Sequence, residues 1–207
     1  MNSDEEQVEK LKAWLKENGM SIVFGVIVGV GGLSGYRYWV HLQETAAEQA
    51  SRHYNEMMQA LSVNNRAEVD EHARQLISEY AKTEYAQIAR LAVAKDHVEN
   101  DEFAEAEPYL QEVIGSSAQD PLGYVARLRL AAVQMQTEQL DAALGTLSIE
   151  FPDEVSAQVA ELRGDIYVQQ GKSSEAIEAY RVAQQANPGP ANPQFLQQKL
   201  ADLGARG

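Results

Sequence analysis

From Met20 to Val40 the chain is a nearly continuous apolar run, and no side chain between Glu17 and Arg37 carries a charge. A helix rises about 1.5 Å per residue, so roughly 20 residues cross the roughly 30 Å hydrocarbon layer of a bilayer. The run therefore predicts a transmembrane helix at residues 20–40, with a short leading segment at 1–19. Gly19, Gly25, Gly29, Gly31, Gly32 and Gly35 would weaken a helix in water. In lipid they are tolerated, because the backbone has no partner but itself. Tyr36, Tyr38 and Trp39 cluster at the C-terminal end. Aromatic rings prefer the headgroup level there, and Arg37 beside them can snorkel outward. A cleaved signal peptide fits poorly: Lys10, Lys12 and Lys16 are mixed with Asp4, Glu5, Glu6, Glu9 and Glu17, and the run is long for an h-region. Orientation follows Lys and Arg near the span. Three lysines precede it, whereas Arg37 is followed by nothing basic until Arg52, which favours a cytoplasmic N-terminus and an exported remainder. Gly25 and Gly29 stand four apart, as do Gly31 and Gly35, a spacing that lets a partner helix approach closely.

From Gln43 onward apolar residues recur at three- and four-residue spacing, which predicts helical hairpins. The clearest unit spans Ala157 to Pro190 and shows Ala160, Gly164, Tyr167, Gly171, Ala176, Tyr180, Ala183 and Pro188 in order. It resembles the 34-residue tetratricopeptide repeat. The small Gly164 and Ala176 let two helices cross closely, Tyr167 and Tyr180 fill the space around the crossing, Gly171 makes the turn, and Pro188 stops the second helix. Arg163 departs from the pattern, which has a large apolar residue there. Two degenerate copies precede this unit. Leu128, Leu130, Ala131, Leu140, Ala143 and Leu147 repeat the spacing of Leu91, Val93, Ala94, Phe103, Ala106 and Leu110, shifted by 37 residues. Pro108 falls inside a predicted second helix and should kink it or mark its start. A weaker hairpin uses Ala50, Tyr54, Leu61, Ala73, Ile77 and Tyr80. Phe195, Leu196, Leu200 and Leu203 predict a short end cap, needed to cover the last apolar face. The expected fold is all-α: a single N-terminal transmembrane helix followed by a tetratricopeptide-like α-solenoid of helical hairpins at 41–207, with a C-terminal capping helix. No flexible linker separates the two parts.

In arrays of this kind the first helix of each hairpin lines a groove. Counted from the well-matched unit, the groove positions are Gln158, Glu161, Asp165 and Val168. The expected equivalents are Tyr124, Arg127 and Gln134 in the middle copy, and Gln87, Arg90 and His97 in the earlier one. That lining is mixed and polar, without an apolar strip, and predicts weak contacts that orient a partner.

The formal net charge of −14 removes nucleic acid as a partner, because phosphate binding needs clustered Lys and Arg. The chain has no cysteine, which excludes disulfides, thiolate metal sites and thiol nucleophiles. None of the four histidines, His41, His53, His72 and His97, stands at metal-ligand spacing from a carboxylate or another histidine on one obvious face, so no metal site is expected. No glycine-rich phosphate loop is present outside the apolar run, and no catalytic constellation or cofactor motif is found. The pairs Asp101/Glu102 and Asp153/Glu154 sit where helices should start and favour the helix dipole.

Taken over nearly its whole length, the chain resembles the ancillary SecYEG translocon subunit family, the YfgM-like proteins. The resemblance rests on the acidic start Asp4-Glu5-Glu6-Gln7-Val8-Glu9 and on the lead-in Leu11-Lys12-Ala13-Trp14-Leu15-Lys16-Glu17-Asn18-Gly19. It continues through the glycine-rich span ending Gly35-Tyr36-Arg37-Tyr38-Trp39, and the repeats closing on Leu196-Gln197-Gln198-Lys199-Leu200. It implies a bacterial inner-membrane protein with a periplasmic repeat domain. Its partners would be the Sec translocon (SecYEG), a membrane-anchored periplasmic chaperone of the prolyl-isomerase type, and exported client proteins. It would be a scaffold with no catalytic residues. The competing reading is a regulatory adaptor that holds a signalling protein or protease at the membrane.

Overall fold

A computed structural model describes residues 2–204 of the chain, with side chains from Gln7 onward. The described residues form helices α1 (Asn2–Ser62), α2 (Arg66–Glu79), α3 (Glu84–Glu99), α4 (Phe103–Ser116), α5 (Pro121–Gln136), α6 (Leu140–Thr146), α7 (Asp153–Gln169), α8 (Ser173–Gln185) and α9 (Pro193–Asp202), with no strand among them. The chain divides into two compact units, Met1–Ser51 and Arg52–Gly207.

The first unit is helix α1 up to Ser51. Its glycines do not interrupt the helix, and its most apolar window has a mean hydropathy of 1.6 with none of its residues buried. Phe24, Ile27, Val30 and Leu33 all point outward. Apolar side chains exposed on every face have no compensating core in water, and suit a hydrocarbon surround.

The second unit is a stack of hairpins, and its period is set by its turns. Asn64, Asp101, Glu138 and Gly171 all have left-handed backbones, with φ of 55°, 60°, 60° and 73°. Each is followed by an N–H that reaches back five residues: Asn65 to the Ala60 carbonyl (2.9 Å), Glu102 to His97 (2.9 Å), Gln139 to Gln134 (2.8 Å) and Lys172 to Tyr167 (2.9 Å). These bonds satisfy carbonyls that a helix end leaves open. The weak first hairpin of the sequence reading is thus real, built from the end of α1 and from α2, with Met57, Ala60, Ala73 and Leu76 buried. Leu61, expected inside, is 42% exposed.

Within each later hairpin a small residue of the first helix and a larger one of the second share a core. Ala94, Ala106 and Leu110 pack together, as do Ala131, Ala143 and Leu147, and Ala160, Ala176 and Tyr180. Several prolines start helices. Pro121 and Pro193 open α5 and α9 behind Asp120 and Asn192, whose side chains accept the first backbone N–H groups, and Pro152 precedes α7. Pro108 does not mark a start: α4 begins at Phe103 and runs through it. Glu102 is the N-cap of α4, and Asp153 and Glu154 fill the first turn of α7. Arg163 uses its guanidinium to bind the Leu147 carbonyl across the hairpin boundary. In α9, Leu196 and Leu200 are buried and Leu203 packs beside them, whereas Phe195 stays 50% exposed.

Candidate functional site

The turns correct the register on which the groove was read. From Asp101 to Glu138 the spacing is 37 residues, but from Glu138 to Gly171 it is 33. Tyr167, not Val168, is therefore the counterpart of Gln134 and His97, because each accepts the same closing hydrogen bond. On the same shift Ala157 and Ala160 match Tyr124 and Arg127, and Gln87 and Arg90 before them. Those earlier residues stand one position away from the face that Gln158, Glu161, Asp165 and Val168 occupy, which turns them about 100° around the helix.

Gln87, Arg90 and Gln134 are accordingly buried. Arg90 Nε donates to Glu112 Oε2 at 2.6 Å, joining α3 to α4. Gln87 Nε2 donates to the Ala81 carbonyl at 3.1 Å, and Gln134 Oε1 accepts from Thr146 Oγ1 at 2.7 Å. His97 Nδ1 lies 2.7 Å from Glu102 Oε2, and its ring stacks on Tyr109. These four side chains hold hairpins together. Tyr124 and Arg127 are brought together, half-buried, in a cleft of about 420 Å³ with Glu150 and Phe151, whose ring is 5.6 Å from that of Tyr124. On α7, Gln158 and Val168 are exposed. Glu161 and Asp165 instead grip the cap: Lys199 Nζ lies 2.8 Å from Glu161 Oε1 and 2.8 Å from Asp165 Oδ1. Tyr180 donates its hydroxyl to Asp165 at 2.6 Å. A Cβ built on Gly25 or Gly29 would find nothing within 4 Å among the described residues beyond the surrounding helix backbone, so both glycines face open space.

The structural counterparts of the α7 face are Ile88, Leu91, Lys95 and Val98 on α3, and Val125, Leu128, Ala132 and Met135 on α5. This face is apolar where the sequence reading expected polar residues. A groove of about 530 Å³ opens on it between α3, α4 and α5, lined by Val98, Phe103, Ala132 and Met135 with Lys95 at the rim. Lys95 pairs with Glu99 at 3.2 Å, both exposed, an arrangement too wet to hold much energy. Apolar walls with a few polar groups at the edge suit one or two large apolar side chains of a partner. A third grouping departs from the expectation that no histidine stands near a carboxylate at ligand spacing: His53 and Glu56 are three residues apart on α1, and the fold brings His72 of α2 to them.

Left-handed turns at a near-constant spacing, with small residues at each helix crossing, define a tetratricopeptide-like array preceded in sequence by a helix long and apolar enough to cross a membrane. The tetratricopeptide repeat-like domain family matches residues 12–205. The ancillary SecYEG translocon subunit of Haemophilus influenzae is 35% identical over 200 residues, covering 97% of each chain. That of Escherichia coli is 33% identical over 201 residues with the same coverage, and that of Neisseria gonorrhoeae 25% over 206. The chain belongs to the ancillary SecYEG translocon subunit family.

Proposed function

We propose that this protein is a single-span inner-membrane scaffold of the Sec translocon. Its N-terminus is cytoplasmic, its repeat array is periplasmic, and it passes exported proteins to a membrane-anchored chaperone of the prolyl-isomerase type. The relatives' names support the translocon as partner. The lysines before the span support the orientation. The observation that carries the scaffold reading is the apolar groove bounded by Val98, Phe103, Ala132 and Met135, which offers an export client a place for apolar side chains before it folds. Tyr124 and Arg127 in the separate cleft with Glu150 and Phe151, and Gln158 and Val168 on α7, add further contact surface. Gly25 and Gly29 give a translocon helix a close approach.

Photocrosslinkers placed in intact cells at Val98, Met135 and Gln158 test this reading, with Glu178 on α8 as the control. Capture of a newly exported chain and of the chaperone at the first three positions is expected, with little at Glu178. Capture of a signalling protein or protease instead would favour the regulatory-adaptor reading. A periplasm-dependent reporter fused after Gly207 should be active, and a cytoplasm-dependent one silent.

A further inference from the structure

We infer that His53, Glu56 and His72 form a binding site for one divalent transition-metal ion of the zinc class, tying the end of α1 to α2. His53 and Glu56 stand one helical turn apart on α1, so both project from one face. His72 comes from α2 and meets them across the first hairpin. His53 Nδ1 and His72 Nδ1 are 3.5 Å apart, and Glu56 Oε2 is 3.5 Å from each. These separations are longer than a good hydrogen bond. They are the separations of ligands around a single ion. The point equidistant from three corners of a triangle with 3.5 Å sides lies about 2.0 Å from each, which matches zinc–imidazole and zinc–carboxylate bond lengths. Drawing the ligands in to about 3.3 Å would lift the ion out of their plane and leave a fourth, tetrahedral position open.

The surroundings fit. The two histidine side chains are mostly covered, 27% and 20% exposed, while Glu56 is 54% exposed, so solvent reaches the cluster and can supply a water as the fourth ligand. The Tyr80 ring, 5.7 Å from that of His53, walls one side. Met57 on α1 and Val69 and Ala73 on α2, close in sequence to the three ligands, are all buried. Two imidazoles and one carboxylate select a borderline ion, whereas magnesium and calcium demand oxygen ligands. His97 shows the contrast: its carboxylate, Glu102, sits 2.7 Å away as an ordinary pair.

The test uses the full-length chain in detergent micelles, stripped of metal by a chelator. Zinc is titrated by calorimetry and Co²⁺ by visible absorption. Expected are one ion bound per chain, a cobalt spectrum of four- or five-coordination, and a rise in melting temperature with zinc. His53→Gln or His72→Gln should weaken binding by more than the roughly 10–100-fold that losing an outer-shell partner costs, while His41→Gln should leave it unchanged. Zinc X-ray absorption on the unaltered protein should show two imidazoles, a readout that does not depend on any variant folding. Absence of a bound equivalent, fewer than two imidazoles, or full binding by the His53→Gln/His72→Gln double variant would overturn the site.

Discussion

The last hairpin and the two before it solve the same packing problem with opposite residues. Where α7 has Gly164 against Tyr180 on α8, the earlier hairpins have Ala131 with Leu147 and Ala94 with Leu110, at the same offset. A Cβ on Gly164 would lie 2.3 Å from Tyr180 Cε1, so glycine there makes room for the ring. Bulk has moved from the first helix to the second, and the exchange has a use. The longer tyrosine carries a hydroxyl to Asp165, which also holds Lys199 of the cap. An interior hairpin is covered by the next hairpin and needs no such link; the terminal one must secure a short helix on its open face.

The most drastic way to break this comparison is to remove the cap. Truncation after Pro190 takes away Leu196 and Leu200, each contributing roughly 1.5–3 kcal/mol when buried, and exposes Tyr180 and Ala183. The melting temperature should fall sharply, and limited proteolysis should attack α8 first. An unchanged melt would show that the last hairpin is self-sufficient and that α9 is not a cap.

A gentler change exchanges one solution for the other. Gly164→Ala alone should destabilise by about 2 kcal/mol through overpacking against the ring. Tyr180→Leu alone should lose a comparable amount through the space it leaves. Together they recreate the pair found at Ala131 and Leu147, so the double variant should lose clearly less than the sum, with a coupling of at least about 1 kcal/mol in denaturant titrations. Strict additivity would mean that the two hairpins are not alternative packings of one design.

The tyrosine–aspartate–lysine link also makes the terminal hairpin sensitive to alkali. Burial pushes Lys199 down, but its hydrogen bonds to Asp165 and Glu161 outweigh this and hold it above its ordinary 10.5. Burial, and then the bond to Asp165, push Tyr180 well above its ordinary 10.0. A group whose folded pKa is raised contributes stability below its unfolded value and loses it as pH climbs towards the folded one. Stability should therefore hold up to about pH 10 and decline above it. Lys199→Met should lower stability at neutral pH by about 1–2 kcal/mol, because two carboxylates then face each other uncompensated, and it should flatten part of the alkaline decline. A wild-type curve that is flat beyond pH 11 would rule the link out.

What could be read in advance follows the same divide. The unit from Ala157 to Pro190 was legible because its markers are local and distinctive: Gly164, Gly171, Ala176 and Tyr180 each stand where only a small or a large residue works. The apolar helix was legible for the same reason, since length and hydropathy act residue by residue. The groove was not, because its register crosses a turn. Glu138 adopts a left-handed backbone without any residue that advertises it, so the 34-residue period of the repeat overshoots the 33 residues that separate Glu138 from Gly171. One residue is enough to turn Gln134 inward and bring Met135 out. The histidine cluster was hidden for a different reason. His53 and His72 are separated by 19 residues on different helices, and only the packing of α2 on the end of α1 makes them neighbours.

The smallest expected effects lie in the turns themselves, where the hairpins differ in a single residue. All four turn positions share one backbone conformation, yet only the last uses glycine. A left-handed backbone is easy for glycine, tolerable for asparagine and aspartate, and unfavourable for glutamate. Against this stands the extra entropy that glycine loses on folding, roughly 0.5–1 kcal/mol. The balance predicts an order. Glu138→Gly should stabilise by about 0.5–1 kcal/mol, Asp101→Gly by less, and Asn64→Gly by almost nothing, while Gly171→Ala should destabilise by about 1 kcal/mol. Gly171 and Glu138 are both exposed, so no packing change obscures the result. Denaturation midpoints of the four variants measure it directly. A loss on Glu138→Gly would mean that the glutamate side chain makes a contact that outweighs its backbone strain, and that the middle hairpin has a turn of its own kind.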